Sequence, residues 1–301
     1  MGRLTRSIPD WIKCTIPSGP QYKKVKQHVD ACGLHTVCIE ARCPNVGECF
    51  TKGHATFLIL GNVCTRNCKY CAVAKGLPLP VDEDEPQKIA QAINNLKLSY
   101  VVVTSVTRDD LNDGGAVYFA KTIDAVRTLN DSTMIEVLIP DFKHSQQLSL
   151  KIIMAAKPDV INHNIEVAQS CYTTLRPGGN YKESLKLLAI VTEYGFTAKS
   201  GLMIGFGETL DDIVQTLRDV RSTGCEIMTI GQYCSSHTGA YPVQKYYTPD
   251  EFSRIEALAY AIGFSKVMAA PLVRSSYRAG EMFSRATIAH NTMEANTQNE
   301  K

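Results

Sequence analysis

From about Ala55 onward, short β-branched apolar runs alternate with segments whose apolar residues recur at helical spacing. The runs predict strands over Thr56 to Leu60, Tyr100 to Thr104, Met134 to Ile139, Asp159 to Asn162, Ala198 to Ile204 and Glu226 to Gly231. The segments between them predict helices over Pro86 to Lys97, Ala116 to Leu129, Gln146 to Ala156, Lys182 to Tyr194 and Leu210 to Ser222, with Pro86 suited to a first helical turn. Such alternation demands a parallel sheet covered by helices. Right-handed crossovers then leave an open doubly wound sheet or a barrel, and a partial barrel is the favoured α/β form. Polar, Gly-rich clusters follow the strand ends at Gly61 to Cys71, Ser105 to Gly115, His163 to Glu166 and Gly205 to Glu208, where parallel folds place their sites. Three parts follow: residues 1–54 as a cysteine-rich N-terminal extension of little periodicity, 55–235 as the barrel, and 236–301 as a C-terminal extension with a frayed tail from Asn291.

Charge narrows the function. Lys and Arg number 32 against 30 Asp and Glu, a net charge of +2, without the positive field of a duplex-wrapping protein or a polybasic membrane binder. Apolar runs such as Phe57 to Leu60 are far below the ~18 residues that span a bilayer. A soluble chain follows, with no nucleic-acid or membrane partner. Met1 to Lys13 lacks the apolar core of a secretory signal, so a cytoplasmic location is expected. In a reducing compartment the 11 Cys, an odd number, point to metal or catalysis rather than disulfides.

Cys64-x3-Cys68-x2-Cys71 lies in the loop after the first predicted strand, so three thiolates can converge at the carboxyl edge of the sheet. A fourth Cys would close a structural zinc site, whereas three thiolates on an iron–sulfur cluster leave one iron open to a small molecule. The alternative is a zinc knuckle completed by a distant His or Cys. Cys38-x4-Cys43-x5-Cys49 precedes the first strand, with Pro44 and Gly47 able to turn the chain so that three sulfurs point inward; here zinc completed by His35 or His54 stays open.

The run Cys64-Thr65-Arg66-Asn67-Cys68-Lys69-Tyr70-Cys71 resembles the defining motif of the radical S-adenosylmethionine superfamily. That resemblance implies a partial (β/α)6 TIM barrel. It also implies a cluster whose open iron chelates the methionine end of S-adenosylmethionine, and release of a 5′-deoxyadenosyl radical that takes hydrogen from unactivated carbon. Both triplets together are similar to the lipoyl synthase family. The similarity continues through Gly33-Leu34-His35, Thr104 to Leu111, Asn162 to Glu166, Lys199 to Glu208 and Arg274-Ser275-Ser276-Tyr277-Arg278.

The resemblance implies two 4Fe-4S clusters. Cys64, Cys68 and Cys71 would hold the first; Cys38, Cys43, Cys49 and Ser275 would hold an auxiliary cluster, with Ser276 the fallback by one register. It further implies insertion of two sulfur atoms at carbons six and eight of a protein-bound octanoyl group, with the auxiliary cluster as sulfur source and the labile Ser275 contact, counted as catalytic, shedding an iron. The partner would be an octanoylated lipoyl carrier domain, either a 2-oxoacid dehydrogenase acyltransferase subunit or a glycine cleavage H protein. A ferredoxin or flavodoxin would donate electrons, and a monomer is expected. Tyr70, Thr104, Asn164, Glu166, Arg176, Met203 and Gly205 are the expected S-adenosylmethionine contacts. Another radical S-adenosylmethionine sulfur-inserting enzyme or methylthiotransferase would share Cys64, Cys68 and Cys71 but not the upstream triplet, and a non-enzymatic zinc module would bind zinc through both.

Other polar groups have plainer readings. Asp109, Asp110 and Asp113 read as cation ligands or as helix N-terminal carboxylates, the capping role being preferred. Gly205-Phe206-Gly207 lacks the rest of a dinucleotide fingerprint. His163 is either a site residue or a neutral core histidine, and Lys23, Lys24 and Lys26 read as a solvated face. Cys14, Cys32, Cys171, Cys225 and Cys234 have no ligand spacing and read as bystanders, Cys32 and Cys234 with some reservation from their positions.

Overall fold

Strands buried on both faces need helices on one side and a filled lumen on the other. A computed structural model, described for residues 8–283 apart from residue 15, has that construction. The N-terminal segment holds α1 (Pro20–Ala31), β1 (His35–Thr36), α2 (Val37–Glu40) and α3 (Val46–Thr51). The alternating region runs through β2 (Thr56–Ile59), β3 (Val63–Cys64), β4 (Ala74–Lys75), α4 (Glu85–Leu96), β5 (Tyr100–Ser105), α5 (Ala116–Leu129), β6 (Met134–Leu138) and α6 (Gln146–Ala155). It continues through β7 (Val160–Asn162), α7 (Gln169–Leu175), α8 (Tyr181–Glu193), β8 (Ala198–Ile204), α9 (Leu210–Ser222), β9 (Ile227–Gln232), α10 (Pro249–Ile262) and β10 (Lys266–Ala270).

Among the described residues the main sheet has eight strands in the order β1-β2-β5-β6-β7-β8-β9-β10. Only the β1–β2 pair in it is antiparallel. The expected partial barrel is therefore present. All six predicted strands occur within a residue or two, and the expected helices match α4, α5, α6, α8 and α9. The sheet also takes in β1, before the predicted barrel segment, and β10, after it. The expectations for residues 1–7 and 291–301 lie outside the described residues. Among the described residues no helix is long and apolar enough to cross a membrane.

Helix ends follow local chemistry. Thr209 caps α9 and Thr248 caps α10, each in a reciprocal box with Asp212 or Glu251, and Pro249 opens α10. The lumen is built in layers, because residues two apart on a strand share a face. At its base Glu136 accepts from Tyr100 Oη at 2.7 Å, Asn162 Nδ2 at 2.8 Å and Lys199 Nζ at 2.9 and 3.0 Å. Lys199 and Glu136 are fully enclosed, so each needs the other to offset the loss of water. One step up each strand, Val102, Leu138 and Gly201 border an open volume.

Candidate functional site

After β2 the backbone turns through Leu60 and Gly61, both at positive φ, and the Glu85 carboxylate accepts the Leu60 amide at 2.7 Å. The cysteine loop that follows is pinned from three sides. Thr65 bonds Thr107 O through its amide (3.0 Å) and hydroxyl (2.9 Å), Lys69 N donates to Leu175 O at 2.9 Å, and Tyr241 N donates to Lys69 O at 3.0 Å. The strongest tie is Arg66, buried between Cys64 and Cys68. Its guanidinium forks onto Asp109 at 2.7 and 2.8 Å and reaches Asp141 at 2.6 Å. Arg66 N also donates to Cys64 Sγ at 3.4 Å. Asp109 and Asp110 are thus occupied by Arg66 and Arg108, and Asp113 alone does the expected capping, accepting from Gly115 N and Val117 N.

The upstream triplet is carried by short helices. Thr36 caps α2, which bears Cys38; Cys43 N closes back on Cys38 O at 3.0 Å; and α3 bears Cys49. Two side chains tie this motif to the C-terminal stretch from Leu272 to Arg278. Asn45 Nδ2 donates to Leu272 O at 2.6 Å, and Glu48 accepts from Tyr277 Oη at 3.0 Å and Arg278 at 3.3 Å. Opposite them Gly231 lets the chain come close, since a Cβ there would lie 2.0 Å from Val273 O.

Between the two motifs lies a cavity of about 690 Å³. Cys38, Cys43, Cys49, Ser275 and Ser276 line it together with Cys71, Tyr70, Asn164, Glu166 and Met203. Thr104, Arg176 and Gly205 do not border it. Thr104 spends its hydroxyl on Leu138 O, Arg176 donates to Tyr172 Oη at 2.8 Å, and Gly205 N donates to Glu208. Cys64 and Cys68 do not border it either, but lie close enough to Cys71 that their charges act on it.

Burial pushes the Cys38, Cys49 and Cys71 thiols up to about 12, and neighbouring thiols add to the effect. Burial also raises Cys43 and Cys68, opposed by Arg274 and Arg176 respectively. Crowded thiols of this kind favour thiolates only beside a cation of comparable charge, which is what an iron–sulfur cluster supplies. Among the described residues no three such side chains close on one point as a lone ion requires. Instead, three soft donors and a hydroxyl border an open volume, and Asn164 Oδ1 is buried there without a partner. The donor set at the upstream triplet has the chemistry that a cluster needs.

Glu166 is held at φ 71, with its amide donating to Gly201 O at 2.9 Å and its carbonyl accepting from Met203 N at 2.8 Å. Backbone strain of this sort persists where the surroundings over-determine it, often at a site. Burial raises its carboxyl, against the pull of Arg176. His163 resolves as the core alternative: Nδ1 lies 2.9 Å from Ile139 O, and burial brings its pKa down to about 4. Cys225 is a core residue, whereas Cys234 reaches the cavity beside Cys43. Sequence reasoning missed Arg66, Asp141, Asn45 and Glu48. The first lies inside the cysteine motif and the last two inside the upstream one, so charge and amide groups placed between ligands were the available signal.

Known proteins resemble this chain in the same places. A family model described as the Radical SAM superfamily matches residues 58–220, and one described as the N-terminal domain of lipoyl synthase matches residues 2–43. A lipoyl synthase of Methylococcus capsulatus is 48% identical over 91% of this chain and 85% of its own length. One of Caldicellulosiruptor saccharolyticus is 49% identical over 91% and 96%. Among solved structures, methylornithine synthase (PylB) aligns with TM-score 0.52 at 11% identity, over 87% of this chain and 82% of that one. HydG, a maturase of the [FeFe]-hydrogenase, aligns with TM-score 0.54 at 12% identity, over 70% of this chain and 56% of that one, which shows a shared fold.

Proposed function

For a chain that belongs to the lipoyl synthases of the radical S-adenosylmethionine superfamily, we propose that the two cysteine triplets hold two 4Fe-4S clusters on either side of the octanoyl site. The chain is a lipoyl synthase, an enzyme that inserts sulfur, and S-adenosylmethionine with one such cluster belongs to its superfamily. The single observation behind the two-cluster reading is the shared cavity: Cys38, Cys43, Cys49 and Ser275 border it together with Cys71 and the Tyr70, Asn164, Glu166 and Met203 side chains.

Cys64, Cys68 and Cys71 would hold the cluster that binds S-adenosylmethionine, and Cys38, Cys43, Cys49 and Ser275 the auxiliary one. When bound, these groups supply hydrogen abstraction from unactivated carbon and the sulfur for two C–S bonds, at carbons six and eight. The chain itself binds and orients. Val37, Val102, Leu138, Leu202 and Val273 give the cavity apolar walls suited to an acyl chain and hostile to water. Tyr70, Asn164, Glu166 and Met203 border the end at Cys71, where the cofactor's polar groups need partners. Thr104, Arg176 and Gly205 act from behind that wall by fixing strand ends, and Arg176 adds positive charge beside Cys68.

We read residues 1–54 and 236–301 as extensions that bring the auxiliary ligands to the barrel of 55–235. The partner is an octanoylated lipoyl carrier domain, from a 2-oxoacid dehydrogenase acyltransferase subunit or a glycine cleavage H protein. The electron donor is a ferredoxin or flavodoxin, and the enzyme acts as a cytoplasmic monomer. Anaerobic reconstitution tests the two-cluster reading: about eight irons per chain are expected, falling to about four when either triplet is replaced by Ala. About four irons in the unaltered chain contradicts it.

A further inference from the structure

In the cavity wall the Asn164 side chain joins two segments far apart in sequence. Asn164 Nδ2 donates at 3.2 Å to Ser275 Oγ, on the auxiliary side, and at 3.2 Å to Glu166 Oε1, beside Tyr70 and Met203. Both amide hydrogens are therefore used, and their directions fix the plane of the side chain. Its backbone carbonyl accepts from Arg176 at 3.4 Å. The room for this arrangement comes from the neighbouring strand: a Cβ on Gly201 would lie 2.7 Å from Asn164 Oδ1 and 3.0 Å from Thr229 Oγ1. Two hydrogen bonds thus hold the amide in one orientation, in room left by Gly201.

We propose that Asn164 is a positioning residue for Ser275, its amide fixing the rotamer of the hydroxyl so that the oxygen faces the iron it ligates. A serine side chain turns freely between staggered rotamers, and a hydroxyl is a weak ligand compared with a thiolate. Ser275 therefore depends on a neighbour in a way that Cys38, Cys43 and Cys49 do not. The Asn164 bond removes the freedom to turn away while leaving a lone pair of the oxygen for the metal. This inference rests on the reading of Ser275 as a cluster ligand.

The test compares full-length chains reconstituted anaerobically: unaltered, Asn164→Ala, Asn164→Leu, Ser275→Ala, Ser275→Cys, and Asn164→Ala combined with Ser275→Cys. Thermal unfolding of each is recorded, and the rate at which a ferrous-iron chelator withdraws the first iron is followed by absorbance. Asn164→Ala and Asn164→Leu are expected to lose one iron about tenfold faster, the order of effect for removing a buried hydrogen bond. In the Ser275→Cys background the same replacement is expected to change the rate by less than about twofold, because a thiolate needs no orienting amide. A merely structural Asn164 accelerates loss equally in both backgrounds, and that result, or no acceleration in either, overturns the proposal. Should Ser275→Ala lose iron no faster than the unaltered chain, the ligand assignment itself fails and the proposal falls with it.

Discussion

Replacing Arg66 tests how the fold holds the first cysteine loop. The guanidinium is 5% exposed and Asp141 is 4% exposed, so Arg66→Met keeps most of the packing but strands a carboxylate out of water. Burial alone would drive the Asp141 carboxyl up, yet hydrogen bonds and charge from Arg66 hold it below the usual carboxylate range. Breaking a buried pair on one side costs about 3–5 kcal/mol. Arg176, 4.0 Å from Asp141, keeps part of the compensation, so the lower end, about 3 kcal/mol, is the expectation. Asp109 is 26% exposed and recovers water, adding little. The combined Arg66→Met and Asp141→Asn chain no longer carries the stranded charge and should regain about 1–2 kcal/mol relative to Arg66→Met. Urea unfolding of the metal-free protein measures all three. Iron uptake gives the functional half: the single variant should lose the irons of the Cys64, Cys68 and Cys71 site while keeping those of the upstream triplet. A cost below about 1 kcal/mol, or a double variant no more stable than the single, would refute the idea that this network organises the loop.

His163 gives a pH signature. Its pKa is about 4 when folded, from an ordinary 6.5, so its contribution is complete above pH 6.5 and drains away as pH falls from 6.5 toward 4. By pH 5 the loss is about 2 kcal/mol, and His163→Gln should flatten the decline in urea midpoint between pH 7.5 and 5; parallel profiles count against it. Gly231→Ala drives a methyl into Val273 O, so it should displace the Ser275 segment and lower auxiliary iron while the Cys64 site stays loaded, as read by electron paramagnetic resonance; a full complement of iron contradicts the close approach. Cys234→Ser should leave the iron count of reconstituted protein unchanged despite its place on the cavity wall, and a drop would make Cys234 a ligand.

Much of the barrel was legible because a parallel strand covered on both faces has little choice of composition. Ala198–Ile204, Ala116–Leu129 and Leu210–Ser222 have the same limits in pattern and structure. The edges were harder. In α1 only Val25 and Val29 are buried, so its apolar stripe is thin, and β10 holds Lys266 and two Ala where a strand signal wants β-branched residues. Cysteine spacing marks a ligand set along the chain, but a serine has no such spacing, and Ser275 came into view only through resemblance. Asp109 and Asp110 looked like helix caps because nothing in one dimension says that Arg66 and Arg108 come back to meet them. The enclosed Lys199–Glu136 pair was invisible for the same reason: partners on strands β8 and β6 are brought together by the sheet order alone.

Isotope tracing of the product reaches the core of the account most directly. The chain is reconstituted with clusters built from heavy sulfide, freed of excess sulfide, and given an octanoylated lipoyl domain, S-adenosylmethionine and a reductant under anaerobic conditions in natural-abundance buffer. Mass spectrometry of the product after one turnover should show two heavy sulfur atoms, and a chain with Cys38, Cys43 and Cys49 replaced should yield none. Product carrying light sulfur, or sulfur insertion by the chain without the upstream triplet, contradicts the account.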